Sequence, residues 1–279
     1  MPELIDDLKS IKVAIFDLDG VIYRGDKLIP GVTNIINLLK SLSIKVIFNS
    51  NNSTLTRKKY VEKLQNFGIN SNIEDIFTSA YLTAEEITKM NARAKIYVIG
   101  EIGLKKELQA KGHQVLDVEN DSSVIDYVIV GLDRNFNYQK LAIAQNYISQ
   151  GHAQFYATNA DATLPDKEKE LPGAGSMLAA LQKCTNQEPH KIFGKPSPLG
   201  IKMILEKTRA EVHKAAIFGD RLDTDILAGN RANIKTVLVL TGVTTLEQVN
   251  QLNNNKDNID INLIPNIILH SLEEMFKKL

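Results

Sequence analysis

Hydrophobic and polar positions along the chain follow two rhythms. Strand-like, largely apolar runs occur at Val13 to Phe16, Lys45 to Phe48, Ala215 to Phe218 and Thr236 to Leu240. Runs this short and this continuous fit strands covered on both faces, as in a parallel sheet. Between them the apolar residues follow the helical period: Val32, Ile35, Ile36, Leu39 and Leu42 share one face, and a further helix runs to Phe67 and is closed by Gly68. Tyr23 to Asp26 reads as the tip of a small hairpin flap sitting over Asp17. A short apolar piece, Ile76 to Thr78, precedes a helix from Leu82 to Met90.

A second series with the same alternation follows. It predicts strands at Ile96 to Ile99, Gln114 to Leu116, Tyr127 to Val130 and Gln154 to Ala157, with helices at Leu104 to Ala110 and Tyr138 to Ser149. Asn137 stands where it would cap the second helix. This stretch reads as an inserted α/β domain. The main series resumes with a helix from Ser176 to Cys184, approached tightly through Gly173 and Gly175, and a strand-like Lys191 to Phe193. The Asn-rich piece from Gln251 to Asn258 reads as a surface loop, and a strand near Ile267 and a helix from Ser271 finish the chain. The expected fold is therefore α/β: a Rossmann-like parallel-sheet core over 1–81 and 158–279, with an inserted α/β cap domain over 82–157.

Ligands bind such sheets at the carboxyl ends of their strands. Four predicted strands end in turn at Asp17 with Asp19, at Ser50 with Asn51 and Asn52, at Lys195, and at Asp220 with Asp225. Each end alone is also what turn and cap chemistry produces. Together they gather carboxylates, a hydroxyl and a lysine, with no His or Cys among them. Oxygen ligands of this kind suit a hard cation, Mg²⁺ before Zn²⁺, and a lysine beside that cation suits a phosphate. An ionised Asp attacking a phosphate dianion at about 4 Å meets roughly 8 kcal/mol of repulsion at an effective dielectric of about 20, so attack needs cations.

Composition narrows the partners. Among 279 residues, 33 Lys plus Arg balance 33 Asp plus Glu, so no basic surplus argues for nucleic acid. No run approaches the roughly 18 apolar residues of a spanning helix, and the acidic start MPELIDDLKS lacks a signal pattern. A soluble, cytoplasmic protein without a membrane partner is expected. The single cysteine, Cys184, excludes a disulfide framework within one chain and reads as packing.

DLDGVIY, SNNS, GKPS and GDRLDTDILAG resemble, in order and context, the four motifs of the haloacid dehalogenase superfamily of phosphohydrolases. The phrases GLDRNFNYQKL, TNADATLP, PGAGSM and LTGV resemble its NagD-like branch, which holds p-nitrophenylphosphatases and phosphoglycolate phosphatases. The resemblance implies Asp17 as nucleophile, forming an aspartyl phosphate, and Asp19 as the acid and base that serves the leaving oxygen and then the water. It implies Ser50, Asn51, Asn52 and Lys195 around the phosphoryl oxygens. Mg²⁺ would be held by Asp17, the Asp19 carbonyl and Asp220, with Asp225 behind them. Asn159 and Asp161 stand at the return from the cap, where contact with substrate and a hinge role are both open. The implied activity is hydrolysis of a small phosphorylated metabolite: phosphoglycolate, a sugar phosphate or an aryl phosphate such as p-nitrophenyl phosphate. Alternatives on the same core are a nucleoside 5'-monophosphatase, a phosphotransferase or mutase, and a non-catalytic binding protein. A homodimer through the cap is a further expectation from the resemblance.

Overall fold

The computed structural model describes residues 3–116, 124–166, 169–254 and 260–277. The chain begins with β1 (Val13–Phe16), the hairpin β2 (Tyr23–Arg24) and β3 (Lys27–Leu28), α1 (Val32–Ser41), β4 (Lys45–Ser50), α2 (Arg57–Asn66) and β5 (Ile76–Thr78). It continues through α3 (Ser79–Met90), β6 (Lys95–Ile99), α4 (Ile102–Ala110), β7 (Gln114–Leu116), β8 (Tyr127–Val130), α5 (Tyr138–Ser149), β9 (Gln154–Ala157), β10 (Thr163–Asp166) and β11 (Lys169–Pro172). The last elements are α6 (Ala174–Thr185), β12 (Lys191–Ile192), α7 (Leu199–Thr208), β13 (Ala215–Gly219), α8 (Leu227–Arg231), β14 (Lys235–Val239), α9 (Leu246–Asn254) and β15 (Ile267–Leu269).

The chain divides into two compact units. The first comprises Met1–Ser50, Val61–Phe77 and Lys195–Leu279. Its sheet has six strands in the order β15-β14-β13-β1-β4-β5. β1 pairs in parallel with both β13 and β4, so the strand order reverses around it, and Asp17 lies just beyond the end of that strand. Every residue of β1 and β13 is buried, which is why both read as unbroken apolar runs. Phe16 stacks on Phe218 with ring centroids 4.7 Å apart.

The second unit comprises Asn51–Tyr60 and Thr78–Gly194. It holds a five-stranded sheet, β12-β9-β8-β6-β7, whose pairings are all parallel. Tyr97, Val128, Phe155, Leu178 and Leu181 share one buried cluster there, with Cys184 packed against it. Asn137 caps α5 as expected, accepting from the Lys140 N–H. The N–H groups of Gly173 and Gly175 bond the carbonyls of Ala162 and Asp161, in keeping with a tight approach to a packed helix.

Several expectations change. The second unit is wider than 82–157: it reaches Gly194 and takes in 51–60, because α6 packs on α5 and β12 pairs with β9. The antiparallel ribbon β10–β11 has no counterpart in the sequence reading; its strands carry prolines and charges instead of an apolar run. Gln251 to Asn254 closes α9 and is not loop, while 255–258 lies outside the described residues. From Ser271 only a 3-10 turn forms, Leu272–Met275. Among the described residues no helix is long and apolar enough to cross a membrane.

Phe218 supports the strand that precedes Asp220. Phe218→Ala should therefore lower the unfolding free energy by about 3–5 kcal/mol in urea denaturation, whereas Phe218→Leu should keep most of it.

Candidate active site

Register sets the site. Phe16 lies opposite both Phe48 and Phe218, so the chains leaving β1, β4 and β13 reach one edge at the same level. The Asp17 N–H donates to the Phe218 carbonyl at 2.9 Å. Ser50, the last residue of β4, is buried. Lys195 arrives by a different route from the one expected. Its preceding strand, β12, belongs to the second sheet, so three strands of the six-stranded sheet supply site residues, not four.

Lys195 is almost fully buried and sits among oxygens. Its Nζ donates to Asp17 Oδ1 at 2.5 Å, to Asp225 Oδ1 at 2.6 Å and to the Asn49 carbonyl at 3.0 Å. Burial alone would lower its pKa, but the Asp17 and Asp225 carboxylates outweigh that and raise it, so the ammonium stays charged. Asp225 Oδ2 accepts from the Arg221 N–H at 3.2 Å. This residue stands in a π-helical turn, Leu222–Ile226, that leads into α8.

Asp220 is held from a loop that sequence reasoning left without a role. Its Oδ2 accepts from the Val243 N–H at 2.7 Å, and the Thr244 N–H bonds its carbonyl at 3.0 Å. The same loop reaches the first turn, where Thr241 Oγ1 donates to the Gly20 carbonyl at 2.7 Å. Gly20 has φ +85, and a Cβ there would collide with the Asp220 carboxylate, so glycine alone fits. The available signal was the phrase LTGV, which follows another strand of the same sheet.

Asp17, Asp220 and Asp225 each bring a carboxylate oxygen within 4.8 Å of the others. Burial raises Asp17 well above the usual carboxylate range against the pull of Lys195. It also pushes Asp220 up to about 7, helped by the neighbouring Asp225 charge. With all three carboxylates ionised, one ammonium leaves negative charge uncompensated, which is why metal-free burial favours their protons. An all-oxygen donor set of this kind fits a hard divalent cation. The Asp19 carboxylate stands apart from that cluster. Burial raises it to about 6, opposed by the Lys63 ammonium and by the Gly25 backbone amide.

Asn51 and Asn52 belong to the second unit. Asn51 Nδ2 donates to both carboxylate oxygens of Asp161, at 3.0 and 3.1 Å, and Asn159 Nδ2 donates to Asp161 at 2.9 Å. Asn52 Oδ1 accepts from the N–H and hydroxyl of Thr54. These partnerships, which sequence reasoning missed, occupy the side-chain amide of Asn51 and the side-chain oxygen of Asn52.

The family model described as haloacid dehalogenase-like hydrolase matches residues 14–114, and a second, HAD-hydrolase-like model matches residues 192–270. The chloroplastic phosphoglycolate phosphatase 1A of Arabidopsis thaliana is 39% identical over 268 residues, covering 88% of this chain and 72% of its own. The 4-nitrophenylphosphatase of Thermotoga maritima superposes with a TM-score of 0.87 at 35% identity, covering 97% of this chain and 98% of its own. A glycerol phosphate phosphatase from Mycobacterium tuberculosis, solved in complex with magnesium, superposes with a TM-score of 0.86 at 27% identity, covering 99% of this chain and 79% of its own. The chain belongs to the haloacid dehalogenase-like hydrolase family. Within it, the chain falls in the NagD-like branch of p-nitrophenylphosphatases and phosphoglycolate phosphatases.

The raised carboxyls make metal-free stability depend on pH. A carboxyl whose folded pKa exceeds its unfolded one contributes stability that is full at low pH and is lost as pH rises through the folded value, here about 7 for Asp220. In chelator, the wild-type Tm should therefore fall between about pH 4 and about pH 7 more steeply than that of Asp220→Asn. Parallel curves would reject the assignment.

Proposed function

We propose that the chain is a Mg²⁺-dependent phosphoric monoester hydrolase acting on small phosphorylated metabolites, with phosphoglycolate, sugar phosphates and aryl phosphates as its substrate class. The observation that carries this reading is the buried ammonium of Lys195 bonded to both Asp17 and Asp225 beside Asp220. It sits in a chain whose relatives are named as phosphatases.

In this reading Asp17 attacks phosphorus, and the bond from phosphorus to the ester oxygen breaks. That oxygen takes the bonding electron pair and a proton from Asp19. Water then attacks the aspartyl phosphate while Asp19 accepts its proton. The bond from phosphorus to the Asp17 oxygen breaks, inorganic phosphate leaves and both acids return to their starting states. The value of about 6 for Asp19 suits a group that must give and then take a proton near neutrality. Lys195, the Ser50 hydroxyl and the backbone amides near Asn51 and Asn52 hold the phosphoryl oxygens. The Asp161 partnership of Asn51 supports a backbone role over a side-chain one.

Asp17, the Asp19 carbonyl and Asp220 would hold Mg²⁺, which supplies the positive charge that lets a carboxylate approach a phosphate dianion. Asp225 stands behind them and steadies Lys195. The magnesium in the mycobacterial neighbour supports the choice of ion. A cytoplasmic location belongs to the same reading, because the free thiol of Cys184 suits a reducing compartment.

Asp17→Asn should abolish phosphate release while leaving the folded spectrum intact, and Lys195→Met should cut kcat by roughly 10²-fold or more. Both are read by inorganic phosphate assay with Mg²⁺ over phosphoglycolate, a sugar phosphate, a nucleoside monophosphate and an aryl phosphate. Full turnover in Asp17→Asn would overturn the reading. The homodimer is inferred through the second unit, where Ile102, Val124 and Tyr138 expose apolar surface. Light scattering should give twice the chain mass, and a single-chain mass at assay concentration would reject the dimer.

A further inference from the structure

Lys63, on α2, lies outside every motif singled out in the sequence, yet it is tied to the hairpin β2–β3. Its Nζ donates to the Gly25 carbonyl at 2.8 Å, stands 3.8 Å from the centroid of the Tyr23 ring and lies 3.9 Å from Asp26 Oδ1. One ammonium therefore engages three successive features of a hairpin whose two strands have only two residues each. A ribbon that short does not hold itself rigid in water. Tyr23 is buried against Phe67, one turn along from Lys63. On the other side, Arg24 Nε donates to the Thr241 carbonyl at 2.7 Å. The hairpin is thus fastened on both flanks, and it grips the turn that carries Asp19: the Tyr23 N–H donates to the Leu18 carbonyl at 3.1 Å and the Gly20 N–H to the Tyr23 carbonyl at 2.8 Å.

We propose that Lys63 is a positioning residue for the proton-transfer step: by holding the Gly25 carbonyl and the Tyr23 ring it fixes the hairpin, whose Tyr23 backbone is bonded to Leu18 and Gly20 on either side of Asp19 and so aims the Asp19 carboxyl at the leaving oxygen. The inference rests on the phosphatase reading for the step that it serves. The fastening itself is independent of that reading. Arginine keeps charge and donors at the position; methionine keeps the apolar stem and loses both.

Two measurements on the full chain with Mg²⁺ test this. The first compares an alkyl ester, glycerol phosphate, with p-nitrophenyl phosphate, whose leaving group departs without needing a proton. Lys63→Met should lower kcat/KM, which reports the steps up to formation of the aspartyl phosphate, by roughly 10-fold or more for glycerol phosphate. It should change kcat/KM for p-nitrophenyl phosphate by no more than about 2-fold, and Lys63→Arg should restore most of the loss. Equal losses on both esters, as a general weakening of the fold would produce, overturn the proposal. The second measurement is amide hydrogen exchange over the hairpin, which needs no activity. Lys63→Met should speed exchange at the Tyr23 amide while β1 stays protected; unchanged exchange at Tyr23 overturns the fastening. If the wild type hydrolyses no phosphoester, the phosphatase reading falls, and the exchange result still decides whether Lys63 holds the hairpin.

Discussion

A buried ammonium shared between two carboxylates is the constraint around which the first unit is arranged. Taking one lysine and three acids out of water costs several kcal/mol per ion unless each finds partners. Lys195 finds them in Asp17, Asp225 and the Asn49 carbonyl. The Asp220 carboxylate finds one in the Val243 amide. Even so, Asp17 and Asp220 keep a strong preference for protons, so the cluster is not arranged for stability. Such an arrangement persists when its charge is wanted for chemistry.

The sheet meets this constraint through register. Phe16, Phe48 and Phe218 lie side by side, and each is followed within two residues by a polar group that must leave the apolar interior at the same edge. The Thr241–Thr244 loop then closes over that edge, with Thr241 on the Gly20 carbonyl and Val243 on Asp220. Arg24 ties the hairpin to the same loop. Displacement of this loop would disturb the Asp19–Gly20 turn and the Asp220 carboxylate together.

Much of this was legible in the sequence, and the exceptions have physical causes. β1, β4, β13 and β14 showed themselves because strands buried on both faces must be continuously apolar. Asp17, Asp19, Asp220 and Asp225 showed themselves because they follow such runs. Lys195 was found for an incomplete reason. The run from Lys191 to Phe193 looks like the other strands, but a local pattern does not say which sheet a strand joins, and β12 pairs with β9. The ribbon β10–β11 was silent because a two-stranded ribbon needs no apolar run. The Val243 amide on Asp220 was silent for a deeper reason. Backbone N–H groups carry no sequence identity, so only the geometry of the chain reveals them.

The bonding of Lys195 also bears on how the proposed reaction would gain its selectivity for the transition state. An ammonium has three N–H donors, and at Lys195 three oxygens receive them. A phosphoryl oxygen can be bonded only as one of those partners gives way. Asp225 and the Asn49 carbonyl keep their charge distribution throughout the reaction, whereas Asp17 loses its negative charge as its oxygen bonds to phosphorus. The attraction of Asp17 for Lys195 therefore weakens in step with attack, just as charge develops on the phosphoryl and leaving oxygens. In the proposed reaction the ammonium would shift its bonding from nucleophile to phosphate along the reaction coordinate, an interaction stronger in the transition state than in the ground state, which is the kind that raises kcat. Asp225 would make that transfer orderly by holding Nζ in place while the bond to Asp17 is exchanged.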